Sequence, residues 1–254
     1  MSKAPTVAAT IARDLASYGA RRCFGLLGTA NFKITHALVE AGVELTSARH
    51  ECNAASMGDA YAKATGELTL VSVHSGPGLT NALTGIGEAA KSRTPLVVLA
   101  GDVPVGAVKS NFHIEQADMV RAVGAVAERI HTVASAREDV LRAVTRAMRD
   151  RQTVVLSLPL DVQETKLSGT ISPLALPSEP SPPYPDPSAI ERLADELATA
   201  KRPLILAGRG AVISGAENAL LALGDRLGSI KVARDARGWE RPSDHVPVTV
   251  TLDV

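Results

Sequence analysis

The sequence carries no excess of either charge: 27 Lys and Arg residues stand against 27 Asp and Glu, for a formal net charge of zero. Proteins that live on phosphate backbones show a basic excess or a basic stripe, so no nucleic-acid partner is expected. Cysteine is nearly absent. The two present, Cys23 and Cys52, lack the spacing of a metal knuckle or a redox pair. They read as reduced thiols of a cytoplasmic protein, with a disulfide between them left open. No apolar run approaches the roughly 20 residues that span a bilayer. The N-terminal MSKAPTVAATIARDLASYGA reads as an amphipathic helix and lacks the basic and apolar regions of a signal peptide. A soluble, cytoplasmic chain with no membrane partner is therefore expected. No pair among the six histidines has metal-ligand spacing, so no metal ligands are assigned.

What is present is a core. Apolar residues make up 45% of 254, enough for one large domain or two smaller ones. Helical and strand-like segments alternate from the start. Helices are predicted at about 5–19, 31–41, 51–64, 79–91 and 135–150, with a short one after 113. Strands are predicted at 23–27, 44–48, 68–74, 96–100, 126–131 and 153–158. Short apolar runs separated by helices predict βαβ units, hence an α/β fold with a doubly wound parallel sheet. Seven prolines fall within 173–187, which rules out a helix or a central strand and favours an extended linker. The expected organisation is a first domain over 1–167, a linker over 168–188 and the opening of a second α/β domain over 189–254. In that second part a helix is expected at about 189–200, a strand at 203–207, a turn at 208–210, a helix at 215–227 and a strand at 230–233. So few strands cannot complete a doubly wound domain, and the chain is expected to stop inside one.

In open α/β sheets, ligands sit beyond the carboxyl ends of the strands. Four loops fall there: Gly28-Thr29-Ala30-Asn31, Arg49-His50-Glu51, His74-Ser75-Gly76-Pro77-Gly78 and Gly101-Asp102-Val103-Pro104. Glu51 lies between a strand end and a helix start, where a carboxylate can serve as a helix-dipole partner. Its helix carries very small side chains, and the next one repeats this with Asn81, Gly85 and Ala89. Two such helices predict a tight, dry surrounding, in which a carboxyl would share a proton with a ligand nitrogen. The Ser75–Gly78 turn lacks the lysine of a P-loop and the spacing of a dinucleotide fingerprint. It suits a close backbone approach to a flat ligand or a neighbouring chain. Gly208-Arg209-Gly210 is a partial fingerprint that keeps a flavin such as FAD, or a nicotinamide, in play. His74 points toward the presumed site, and His113 sits in a loop with Glu115 and Gln116. His36, His50, His131 and His245 read as structural.

The run SARHECNAASMGDAYAKATGELTLVSVHSGPGLTNALTGIGEAAKSRTPLVVLAGD resembles the N-terminal pyrimidine-binding domain of thiamine diphosphate-dependent enzymes of the acetolactate synthase and benzoylformate decarboxylase group. The similarity covers roughly 1–165 and rests on RHE, GDAYAKATG, SGPGLTN and TPLVVLAGD occurring in order. The resemblance implies that Glu51 hydrogen-bonds a ring nitrogen of the cofactor's aminopyrimidine and favours the imino tautomer, whose exocyclic nitrogen removes the thiazolium proton. It implies catalytic roles for Glu51, His74 and Glu115 and cofactor binding by Gly28, Thr29 and Glu51; loop placement adds His113 to the catalytic candidates, and the strand-end turn and its helix add Ser75, Pro77 and Asn81 to the cofactor-binding ones. In FGLLGTAN, Leu27 stands where the family usually has proline.

A 2-oxo acid substrate and a homodimer or tetramer are implied as well. The family's GDG…N segment, which binds magnesium and the diphosphate, does not occur in this sequence. Mg2+ is thus expected only through a missing domain or a separate diphosphate-binding subunit, and the isolated chain is expected to hold thiamine diphosphate poorly and to be inactive alone. Two other readings stay open: a non-catalytic truncated paralogue or interaction subunit, and a flavin- or nicotinamide-binding α/β protein.

Overall fold

Strands buried on both faces must place alternate side chains into two separate cores, and this chain does so. A computed structural model describes residues 4–167, 172–178, 181, 183–201, 203–227, 230–232 and 248–250. The chain divides into two compact units, Met1–Glu179 and Pro180–Val254. The first is built on six strands: β1 (Arg22–Gly25), β2 (Glu44–Ser47), β3 (Thr69–Val73), β4 (Leu96–Asp102), β5 (Val126–Arg129) and β6 (Thr153–Pro159). They form one parallel sheet in the order β2-β1-β3-β4-β6-β5.

Along β4, Val97 and Leu99 join the core made with α1 (Val7–Ser17), α2 (Phe32–Glu40), α6 (Ala136–Met148) and α7 (Leu160–Glu164). Leu96, Val98 and Ala100 join the opposite core, made with α3 (Glu51–Thr65), α4 (Pro77–Lys91) and α5 (Gln116–Ala122). The sheet is covered on both sides, as the alternating segments predict.

The small residues of α3 and α4 allow these two helices to meet. A Cβ built on Gly85 would stand 2.7 Å from Ala55 Cβ and 3.0 Å from the Ser56 amide nitrogen. One on Gly58 would stand 2.5 Å from Val71 Cγ2, so α3 also lies close on β3. Beyond them, Lys63 donates to Asp59 Oδ2 at 2.7 Å and to Glu88 Oε1 at 3.0 Å, and Thr94 Oγ1 donates to buried Asp59 at 2.7 Å. Both cysteines are free thiols. Cys23 is buried, which pushes its pKa up to about 12.

Several element ends differ from the sequence reading. The helix expected from 79 begins at Pro77, because proline is preorganised for a first helical position and lacks only an amide that would go unpaired anyway. The five-residue α7 was not anticipated; it is too short to show a helical period. Part of the proline-rich segment lies on the first unit. Arg137 Nη1 donates to the Ser172 carbonyl at 2.7 Å, Arg149 donates to the carbonyls of Pro177 and Ser178, and Leu176 packs on the core.

The second unit holds α8 (Pro187–Thr199), β7 (Leu204–Ile205), α9 (Arg209–Ile213), α10 (Glu217–Arg226), β8 (Ile230–Val232) and β9 (Val248–Val250). The expected turn at 208–210 is instead the entry of α9, and the end of the strand expected to 233 lies outside the described residues. β9 pairs antiparallel with both β7 and β8, a pairing of distant segments that local pattern does not reveal. No helix among the described residues is long and apolar enough to cross a membrane.

The α3–α4 contact makes opposite demands on neighbouring glycines. Gly85→Ala is expected to cost about 1–3 kcal/mol, because its methyl has no room. Gly87→Ala, whose Cβ would meet Val123 Cβ at an ordinary 3.6 Å, is expected to gain about 0.5–1 kcal/mol from helix entropy. Urea unfolding of the two variants checks both signs; a neutral Gly85→Ala would contradict the tight packing.

Candidate active site

The parallel sheet delivers the carboxyl ends of its strands to one edge, and the first group of polar side chains gathers beyond β1, β2 and β3. The chain leaving β2 reaches α3 through His50, whose extended backbone and imidazole cap the helix: Nδ1 accepts the Cys52 N–H at 3.2 Å. His50 thus serves the local fold. Glu51 is the first residue of α3, at the partly positive helix end. Its carboxyl is buried, with 7% of the residue exposed. Among the described residues, Asn81 holds that carboxyl, its Nδ2 donating to Oε2 at 3.1 Å. Oε1 lies 3.3 Å from where a Cβ on Gly78 would stand, and that Cβ would also be 2.8 Å from His74 Cβ. Glycine at 78 therefore lets Glu51 and His74 lie side by side on the first turn of α4.

His74 ends the β3 segment and touches two loops. Its Nδ1 is 2.9 Å from the Ser75 carbonyl oxygen, which can only accept, so Nδ1 carries the proton. In the neutral ring, Nε2 is then the acceptor for the Thr29 hydroxyl at 3.1 Å. Ser75 is buried, with its Oγ 3.2 Å from Nδ1. A Cβ on Gly28 would stand 2.3 Å from His74 Cδ2, so the β1–α2 loop can close on the imidazole only through glycine. Pro77 is exposed at the first position of α4. Thus Glu51, His74, Gly28, Thr29, Ser75, Pro77 and Asn81 stand together around one strand-end rim.

His113 and Glu115 stand elsewhere. They line a cavity of about 450 Å³ above the ends of β4, β5 and β6, with Asp102, Arg121, Arg129 and His131. Asp102 is buried and accepts from Arg129 Nη1 at 2.5 Å and from the Val103 N–H at 2.8 Å. Two residues that the sequence reading did not assign connect the regions. Phe112 sets its ring edge-on to His74 at 5.2 Å between centroids. Buried Gln116 accepts the Gly76 N–H and donates to the Gly101 carbonyl and to Ser157 Oγ, each at 3.3 Å. A long amide opening a helix straight after the loop was the available signal for Gln116, and His74 beside a glycine turn gave none for Phe112.

The donor set decides what fits. A buried carboxyl, held by a single neutral amide, can take the N–H of a flat nitrogen heterocycle, so the residues around Glu51 fit an aminopyrimidine ring. Among the described residues no group of three His, Cys, Asp or Glu side chains stands together to hold a metal ion. His36 pairs with Glu40 at 3.4 Å and His131 with Asp139 at 3.3 Å, while His245 lies outside the described residues. No described residue would come within 4 Å of a Cβ on Gly208 or Gly210, so no close approach among the described residues requires glycine there.

Residues 5–128 match the family "Thiamine pyrophosphate enzyme, N-terminal TPP binding domain". The chain is 31% identical over 233 residues to the "Probable 2-ketoarginine decarboxylase AruI" of Pseudomonas aeruginosa, covering 89% of this chain and 41% of that one. It is 31% identical over 218 residues to the "Acetolactate synthase large subunit IlvG" of Mycobacterium tuberculosis, covering 84% and 40%. To the "Sulfoacetaldehyde acetyltransferase" of Rhodobacter capsulatus it is 29% identical over 219 residues, covering 84% and 36%. The chain therefore spans about two fifths of the length of these relatives. A solved structure assigned to a thiamin diphosphate-dependent enzyme from Mycobacterium smegmatis superposes with a TM-score of 0.78 over 89% of this chain and 44% of that chain. At 23% identity that likeness speaks for the fold alone.

Asp102 supplies a pH test of the second region. Burial raises its pKa above the ordinary carboxylate value, although Arg129, the Val103 N–H and His113 pull it back. A raised folded value means the native state binds the proton more tightly than the unfolded chain does. Stability contributed by this group is then full below about pH 4 and declines as pH rises through the folded value. The unfolding free energy of the wild type minus that of Asp102→Asn should fall as pH rises above about 4; a difference flat with pH would contradict the shift.

Proposed function

We propose, on the premise that residues 5–128 match the thiamine pyrophosphate enzyme family's N-terminal TPP binding domain, that this chain activates thiamine diphosphate through Glu51 for a reaction of a 2-oxo acid. The observation that carries the reading is the buried Glu51 carboxyl, steadied by Asn81 with Oε1 turned to the Gly78 backbone. Glu51 holds the proton at a ring nitrogen of the aminopyrimidine. When bound, the cofactor supplies an electron sink for breaking the bond beside the carbonyl of the 2-oxo acid. His74, with Nε2 facing the Thr29 hydroxyl, orients polar groups of the substrate next to that ring. The Gly76–Gly78 turn brings the backbone close to it, while the buried helices around Glu51 exclude water. His113 and Glu115 line the neighbouring cavity and act on the substrate's far side.

The reaction class is decarboxylation or carboligation of the acetolactate synthase type, supported by relatives named as a decarboxylase, a synthase and an acetyltransferase. Relatives named as large subunits support assembly into an oligomer, for which we place a homodimer or tetramer. The magnesium and diphosphate site belongs to a further domain or a partner chain, and residues 189–254 open the central domain after the linker. The cytoplasm is the compartment that fits such a reaction.

Loss of one hydrogen bond to a charged group, about 1.5–3 kcal/mol, corresponds to roughly 10- to 100-fold in affinity. With the magnesium and diphosphate site supplied by the further domain or partner chain, Glu51→Ala is expected to weaken magnesium–thiamine diphosphate binding by that factor in calorimetry. In an assembly that turns over a 2-oxo acid, it should lower the rate by about 10²–10⁴-fold, as for removal of a general acid–base group. Wild-type affinity and turnover in Glu51→Ala would remove Glu51 from the reaction.

A further inference from the structure

Asparagine at a helix N-cap ordinarily turns its side chain onto the amides of its own first turn. Asn31 occupies the N-cap of α2 and makes no such bond. Its side chain turns back into the β1–α2 loop, fully buried. Oδ1 accepts the Gly28 N–H at 2.8 Å, while Nδ2 donates to the Leu26 carbonyl at 3.1 Å and to Ser72 Oγ on β3 at 2.9 Å. Every polar atom of the amide is used, and each partner lies on the loop or on the strand that ends beside His74.

A second buried amide holds the same loop from the other side. Gln163 on α7 donates to the Ala30 carbonyl and to the Leu158 carbonyl, each at 2.9 Å, while its own Oε1 has no hydrogen-bond partner among the described residues. Gly101 completes the enclosure, since a Cβ there would stand 2.7 Å from Ala30 Cβ. Thr29, between these fixed points, is exposed, and its hydroxyl reaches His74 Nε2.

The geometry points to Asn31 as a positioning residue for His74. By giving up its capping bond to fix Leu26, Gly28 and Ser72, Asn31 holds the Thr29 hydroxyl against Nε2. With Nδ1–H committed to the Ser75 carbonyl, the imidazole is kept in one tautomer and one orientation, Nε2 accepting. Asn31 touches neither ring nitrogen and acts through Thr29. The inference rests on the reading of Thr29 and His74 as site residues and adds the group that sets them.

The test is long-range proton–nitrogen NMR on the full chain labelled at histidine nitrogen, with His74 assigned by its loss in His74→Gln. In the wild type His74 should show a protonated Nδ1 and an accepting Nε2. Thr29→Val supplies the reference position of Nε2 without the hydroxyl. Asn31→Ala, judged folded by circular dichroism, should shift Nε2 to or near the Thr29→Val position and leave the signals of His36 and His131 unmoved. An Nε2 signal at its wild-type position in folded Asn31→Ala would overturn the assignment. If Asn31→Ala does not fold, Ser72→Ala, which removes one acceptor of Nδ2, decides: a shift in the same direction supports the role, and no shift overturns it. Thiamine diphosphate binding is measured on the same samples. A wild type that binds none even in an assembly that supplies the magnesium and diphosphate site, while Asn31→Ala still moves His74, would refute the cofactor reading and leave the positioning role standing.

Discussion

The contact between Gly85 and Ala55 is the constraint on which the site depends. Glu51 lies one helical turn before Ala55 on α3, and Asn81 lies one turn before Gly85 on α4, so each pair shares a helix face. Where the helices come within reach of a single methyl group, residues one turn back are brought to hydrogen-bonding distance. The Asn81–Glu51 bond is thus a geometric result of the Cβ that Gly85 lacks one turn further along. At the far end, Lys63 spans Asp59 and Glu88 and holds the same pair of helices. A buried carboxyl between these anchors does not require a cation to keep it in place.

That difference separates the site from the rest of the molecule. Elsewhere in the first unit, among the described residues, the buried carboxylates of Asp14, Asp59, Asp102 and Asp139 are tied to cationic side chains. Asp14 takes two bonds from Arg137, Glu128 faces Arg142 and Arg146, and Asp102 takes Arg129. Such pairs fix structure, because leaving one partner unpaired in a buried place is costly. Glu51 has a neutral amide instead, which orients the carboxyl through Oε2 and leaves Oε1 without a hydrogen-bond partner among the described residues.

Much of this was legible in the sequence. Short apolar β-branched runs between helices read directly as a parallel sheet, since strands buried on both faces have no polar phase to hide. The small residues of α3 and α4 announced close packing, and RHE placed a carboxylate where a strand passes into a helix. The rest depended on contacts between residues far apart in the chain. Gln116 meeting Gly76, Gln163 meeting Ala30, and β9 pairing with β7 and β8 join segments separated by tens of residues, and no local period encodes them. Asn31 was visible as a loop residue, but its departure from the usual capping geometry is a three-dimensional fact.

Gln116 has a wider meaning through the three groups it joins. Its amide ties the turn before α4 to the ends of β4 and β6, and Phe112 four residues earlier leans on His74. The segment that walls the cavity of His113 and Glu115 is therefore mechanically continuous with the imidazole. A substitution anywhere along this wall is thereby coupled, through Gln116 and Phe112, to the setting of the His74 ring: the two regions cannot be altered independently.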